Sequence, residues 1–146
     1  MDEELENRLA RVVERLRRLR QGPETERDRA RRQMRERVLA ELPRLESRII
    51  SVMAEFNDTL AATDMGLRMT RSNHTPVAEA VYTIEASGLA GAEPVLVLIA
   101  EAQGRVRAML ERDHHRALVD TVDIFDLDKA RLAGLVLLML EAHAGH

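Results

Sequence analysis

The apolar residues of this chain change period near Thr63-Asp64. Before that point they recur every three or four positions, which lines one face of a helix; after it, to about residue 125, they alternate, which lines one face of a strand. A chain patterned this way is neither all-helical nor all-β. It predicts helices first, then a run of short strands, then one closing helix. The core must be aliphatic, because 146 residues contain only two Phe, one Tyr and no Trp. Cysteine is absent, which excludes disulfides, thiolate metal sites and a Cys nucleophile.

Five strands are expected. Residues 66–72 alternate Leu67 and Met69 against Arg68 and Thr70, and residues 78–86 set Ala80, Tyr82, Ile84 and Ala86 against Val81, Thr83 and Glu85. Residues 94–100 are almost wholly aliphatic, as in a central strand covered on both faces. A tight turn at Gln103-Gly104 leads to residues 105–111, with Val106, Ala108 and Leu110 inward. Residues 116–125 form the fifth strand, with Leu118, Val122 and Ile124 on one face. Consecutive strands on short turns make an antiparallel meander. The last helix, 128–143, is capped by Asp126 or Asp128 and is apolar on nearly every side, so burial on more than one side is expected. The fold class is therefore α+β: N-terminal helices with coiled-coil heptads, a five-stranded antiparallel meander, and a C-terminal helix packed on the sheet.

The helical half divides at Gly22-Pro23. Leu5, Leu9, Val12, Leu16 and Leu19 are spaced 4, 3, 4, 3, the seam of a coiled coil, within a helix over 2–21. Pro23 opens a second helix over 24–62, with Glu24 and Glu26 in its first turn. Its stripe runs through Val38, Leu42, Leu45, Ile49, Val52, Phe56 and Leu60, widened by Leu39, Ile50 and Met53. Pro43 predicts a kink or restart, since it removes a backbone donor and crowds the preceding turn. The chain is accordingly read as a helical arm, 1–43, and a two-layer α+β domain, 44–146.

Charge is uneven. Residues 1–50 hold 14 Arg against 11 acidic residues, and the remainder holds 8 basic against 14 acidic. Of the 22 basic residues all but Lys129 are Arg. Arg8 to Arg37 alone carries 12 Arg and 5 acids. Such a stretch is the electrostatic footprint of a nucleic-acid contact, through Arg15, Arg17, Arg18, Arg31, Arg32 and Arg35. The solvated flank of a coiled coil is the reading favoured over it, because neither interleaved aromatics nor a recognition-helix motif accompanies the charge and Glu24, Glu26, Asp28 and Glu36 dilute it. Arg68, Arg105 and Arg107 share the outward face of the expected sheet, a second place for an anion.

No phosphate-loop, dinucleotide, zincin or nucleophile-elbow pattern occurs. Asp113-His114-His115 is the densest titratable cluster, but neighbouring strand residues point to opposite faces, and a solvated hairpin turn accounts for it. His143 and His146 fit a frayed C-terminal tail. No catalytic residue, metal ligand or cofactor is assigned. The acidic N-terminus lacks a signal-peptide pattern and no apolar run spans a bilayer, so a cytoplasmic protein without membrane attachment is expected. The functional expectation is a non-enzymatic oligomeric interaction or adaptor protein, first of all a homodimer. Its oligomer contact is Leu5, Leu9, Val12, Leu16 and Leu19, and a second copy or another protein is the partner. Nucleic-acid binding through the Arg-rich helices is the alternative, and small-ligand binding between sheet and helices the third.

Overall fold

The computed structural model describes residues 2–21, 25–73, 75, 78–88 and 93–145. The expected break at Gly22-Pro23, residue Glu24, parts of the turns at 72–76 and 87–91, and His146 lie outside them.

The chain divides into two units, Met1–Arg32 and Gln33–His146. The first contains α1, Glu3–Gln21, and the start of α2. Asp2 caps α1, its carboxylate accepting from the Glu4 amide at 3.3 Å. Glu3, Glu4 and Glu6 fill the first turn of α1, and Arg18 and Arg20 the last, as the helix dipole favours.

The second unit is α+β. Helix α2, Glu26–Leu60, is capped at Thr25: the Thr25 hydroxyl accepts from the Asp28 amide at 3.1 Å, which satisfies one orphan donor. The expectation that Pro23 opens it lies outside the described residues. The helix continues through Pro43 without a restart. Leu39 and Pro43 both lie on its exposed side, where water can satisfy the carbonyl that Pro43 leaves without a donor. On the opposite side Val38, Leu42, Leu45 and Ile49 are buried on either side of the proline and hold the helix to the sheet. The buried core thus reaches back to Val38, ahead of residue 44.

After a short 3-10 turn come β1 (Gly66–Ser72), β2 (Ala80–Ser87), β3 (Val95–Ala100), β4 (Arg105–Arg112) and β5 (His115–Asp123), then α3 (Lys129–Ala144). The strands form one antiparallel sheet in sequence order, the expected meander. The β3–β4 turn needs Gly104, whose φ of 99° lies where an L side chain is strained. The β4–β5 turn carries Asp113 and His114 at φ 51° and 67°, the double left-handed conformation of a type I′ hairpin. Asp128 caps α3, accepting from the Arg131 amide at 2.9 Å.

Both α2 and α3 cover the same face of the sheet. Leu45, Ile49 and Val52 of α2 and Leu132, Leu135, Val136 and Met139 of α3 join Tyr82, Ile84, Leu96, Leu98, Val106 and Ala108 in one buried cluster. On the far face, Val97, Ile99 and Ala78 form a smaller cluster with Val81, Val95 and Met109. This face has alternating strand residues and none of the described helices of the unit packs in its cluster, and its centre is apolar nonetheless.

Two expectations fail here. Leu118 does not join the inner face. Asp120 pairs with Ala108 and Leu118 with Met109, so Val119 is an extra residue, a bulge that reverses the alternation before it. Leu118 turns to the far face, 58% exposed, while Val119 packs on the main core. Helix α3 is buried on one side: Leu132, Leu135, Val136 and Met139 face the core, while Leu137 and Leu138 are exposed, with no layer of described residues beyond them.

Candidate functional site

The five seam residues of α1 fall where the sequence places them, on one face of a continuous helix. They are 51% (Leu5) to 74% (Leu19) exposed, and Val13 beside them is 45% exposed. Six aliphatic side chains in water on a 19-residue helix form a larger apolar stripe than a solvated helix needs. A helix this short is marginal without packing of that stripe. The Glu14 carboxylate lies between Arg17 at 3.7 Å and Arg18 at 3.5 Å, which screens that flank without closing the seam. Exposed pairs at such distances add little stability.

The Arg residues singled out from the sequence separate into paired and unpaired groups. Arg35 holds Glu79 with a short Nε–Oε1 contact of 2.7 Å and a second from Nη2 at 3.4 Å. The hydrogen bond and the charge of Glu79 raise the Arg35 pKa further above its usual value, so this guanidinium is fixed to the β2 approach. Arg17 and Arg18 share Glu14. Arg32 has a partner as well. Among the described residues Arg15 and Arg31 carry no ion pair.

On the sheet, Arg68 chelates Glu85 directly across β1–β2, at 2.6 Å from Nη2. Arg105 and Arg107 both approach Glu101, at 3.4 Å and 2.8 Å. Arg68 and Arg107 stand three strand spacings apart, roughly 14 Å sideways, and four residues out of level, roughly 13 Å along the strands. The structure therefore brings Arg105 and Arg107 together on one carboxylate and leaves Arg68 on another, rather than converging all three on one anion.

The Asp113-His114-His115 cluster is the exposed β4–β5 turn itself; its Asp113 amide donates to Glu93 at 3.0 Å. Among the described residues no group of three or more His, Asp or Glu is placed to hold a metal ion. His143 is not frayed: its Nε2 sits 2.9 Å from the Pro94 carbonyl, tying the end of α3 to the start of β3. The space between sheet and helices is filled by buried aliphatic side chains. No described helix is long and apolar enough to cross a membrane.

Several features escaped sequence reasoning. Glu41 is buried under Arg44 and Arg48 at 3.5 Å and 3.0 Å, and Arg48 also donates to the Ile124 carbonyl at 3.4 Å, joining α2 to the turn after β5. The Tyr82 hydroxyl is buried without a hydrogen-bond partner among the described residues, and burial pushes its pKa up. The Arg71 guanidinium lies over that ring at 5.7 Å. Leu39 and Ile50, which widen the α2 stripe in sequence, are exposed instead. The signal for all these is tertiary, since each depends on which residue another element brings opposite.

No family model matches the chain, and no curated protein or solved structure is significantly similar to it.

Proposed function

We propose that this chain is a self-associating interaction protein. In this reading α1 is the assembly element, its partner is a second copy, and the α+β unit is the body that α1 brings into pairs. The observation that carries the reading is the exposed seam Leu5, Leu9, Val12, Leu16 and Leu19. Burying an aliphatic side chain of this size stabilises by roughly 1.5–3 kcal/mol. Five such residues on a coiled-coil spacing supply a driving force that a lone helix leaves unused.

The same reading outweighs nucleic-acid binding. Of the Arg-rich helices' candidates, Arg17, Arg18 and Arg35 are engaged with carboxylates of this chain and would have to give up those pairs to meet a phosphate, as would Arg68, Arg105 and Arg107 on the sheet; Arg15 and Arg31 alone offer no dense phosphate contact. The apolar seam, by contrast, gives up only water.

Light scattering on the full chain tests it. A mass of twice 16.5 kDa is expected for the natural chain and a single-chain mass for Leu9→Glu/Leu16→Glu. A natural chain that is monomeric at high micromolar concentration, or a double variant that stays dimeric, overturns the reading.

A further inference from the structure

Accepting α1 as the assembly element, as this inference must, the charge distribution along it selects the orientation of the pair. Residues 2–10 hold four acids and one Arg; residues 11–20 hold five Arg and one Glu. The helix is thus an electrical dipole of side chains, acidic at its N-terminal end and basic at its C-terminal end. That arrangement complements the backbone dipole within one helix. It also decides how two helices meet. Side by side in the same direction, like ends oppose like ends. In opposite directions, every acidic turn faces a basic one.

We propose that α1 pairs with α1 of a second copy in antiparallel orientation, with Leu5 opposite Leu16 and Leu9 opposite Val12. This register keeps four apolar layers, because the spacing 4, 3, 4, 3 reads nearly the same from either end. In an antiparallel pair the facing flanks are e with e and g with g, so Glu6 lies beside Arg20 of the second copy in two symmetric pairs, and Arg8 lies beside Arg15 in two like-charged ones. Glu3 and Glu4 stand level with Arg18 and Arg17 of the second copy but outside the flanks, and add only the longer-range attraction of an acidic turn for a basic one. The parallel alternative has Leu9 and Leu16 at a and Leu5, Val12 and Leu19 at d. It sets Arg15 against Arg20 and stacks the acidic first turns on each other. Like charges at these flanking positions discriminate strongly between pairings.

Disulfide trapping tests the orientation in the full chain, which has no natural cysteine to interfere. In the antiparallel register, residue 5 of one copy lies 11 positions from residue 5 of the other along the helix, roughly 16 Å. That is too far for a disulfide, whereas Leu5 and Leu16 are opposite. Leu5→Cys alone is expected to stay unlinked under mild oxidation. An equimolar mixture of Leu5→Cys and Leu16→Cys is expected to yield a covalent dimer whose linked peptides, identified by mass, join residues 5 and 16. Rapid self-linking of Leu5→Cys while the mixture gives no more than chance 5–16 product overturns the orientation and leaves self-association standing. A natural chain that scatters light as a monomer overturns both. A dimer that neither cysteine traps, and that survives Leu9→Glu/Leu16→Glu, places the contact elsewhere and also overturns both.

A charge-reversal pair gives a second readout independent of cysteine reactivity. Glu6→Arg and Arg20→Glu are each expected to weaken the dimer severalfold, because each sets like charges together at the Glu6–Arg20 flank, and mixing the two variants is expected to restore association. In a parallel pair Arg20→Glu would instead relieve the Arg15–Arg20 contact and tighten the dimer. Tightening by Arg20→Glu, or a mixture as weak as the separate variants, overturns the proposal.

Discussion

Helices α1 and α2 carry the same apolar spacing and meet opposite fates. Leu5, Leu9, Val12, Leu16 and Leu19 on α1 are separated by 4, 3, 4, 3; so are Val38, Leu42, Leu45, Ile49 and Val52 on α2. The α2 residues are 3% exposed or less, while the α1 residues are at least half exposed. A seam specifies a helix and a sticky face, and it does not specify what covers the face. On α2 the cover is a sheet of the same chain. What differs is the flank. The α2 seam is broadened by Met53 and closed over by Glu41 with Arg44 and Arg48, whereas the α1 seam is narrow and bordered by charge on both sides. A narrow seam with charged borders suits another helix better than a sheet.

The sharpest way to break this contrast is to truncate one residue in each seam. Leu45→Ala removes a fully buried side chain and is expected to lower unfolding free energy by about 2–5 kcal/mol, read by urea titration. Leu9→Ala is expected to leave the unfolding of the α+β unit within about 0.5 kcal/mol of the natural chain, as a surface change does, while shifting the dimer toward monomer in light scattering. If Leu9→Ala destabilises the unit as much as Leu45→Ala, the two seams are covered alike and the contrast is false.

A smaller effect tests whether local capping matters in the buried layer. Asp128→Ala deletes the α3 cap and is expected to lower stability by about 1 kcal/mol, with no change in mass. The smallest effect concerns the buried hydroxyl. Tyr82 has no hydrogen-bond partner to lose among the described residues, so Tyr82→Phe is expected to be neutral or slightly stabilising at neutral pH. Burial raises the native Tyr82 pKa above its unfolded value of about 10. The unfolded chain therefore releases this proton first as pH rises, and stability is complete below about 10 and declines above it. Tyr82→Phe should flatten that alkaline decline. Tyr82 is the single tyrosine, so ultraviolet difference absorbance follows its titration alone. An ordinary titration midpoint in the folded chain refutes the assignment.

Much of the architecture was legible in the residues. Alternation located β1, β2 and β4 to within a residue or two, because each has one face on a core and one off it, and the aliphatic run of β3 reported burial on both faces. Leu118 was misplaced because a bulge adds one residue, and no local pattern marks where a ladder will skip. Pro43 suggested a break because propensity is local, whereas buried residues on both sides of it hold one helix. The Arg candidates were legible as charges, but their carboxylate partners were not: Arg35 meets Glu79 across 44 residues. The leucine seam was visible as a face, but a spacing pattern does not name what covers it.

The bulge at Val119 has a consequence beyond side-chain direction. The meander leaves β1 and β5 as open edges, each a row of backbone groups onto which another strand could add. Growth of a fibril demands flat strands in unbroken register. Near the middle of β5 the ladder skips a residue, and Arg116 tied to Glu111 and Arg131 tied to Asp120 stand on either side of that skip. A strand approaching this edge meets a kink it cannot match and charges it would have to desolvate. The irregularity that turned Leu118 outward thus also guards the β5 edge against strand addition, whereas β1 pairs with β2 in unbroken register and leaves its own edge without such a skip.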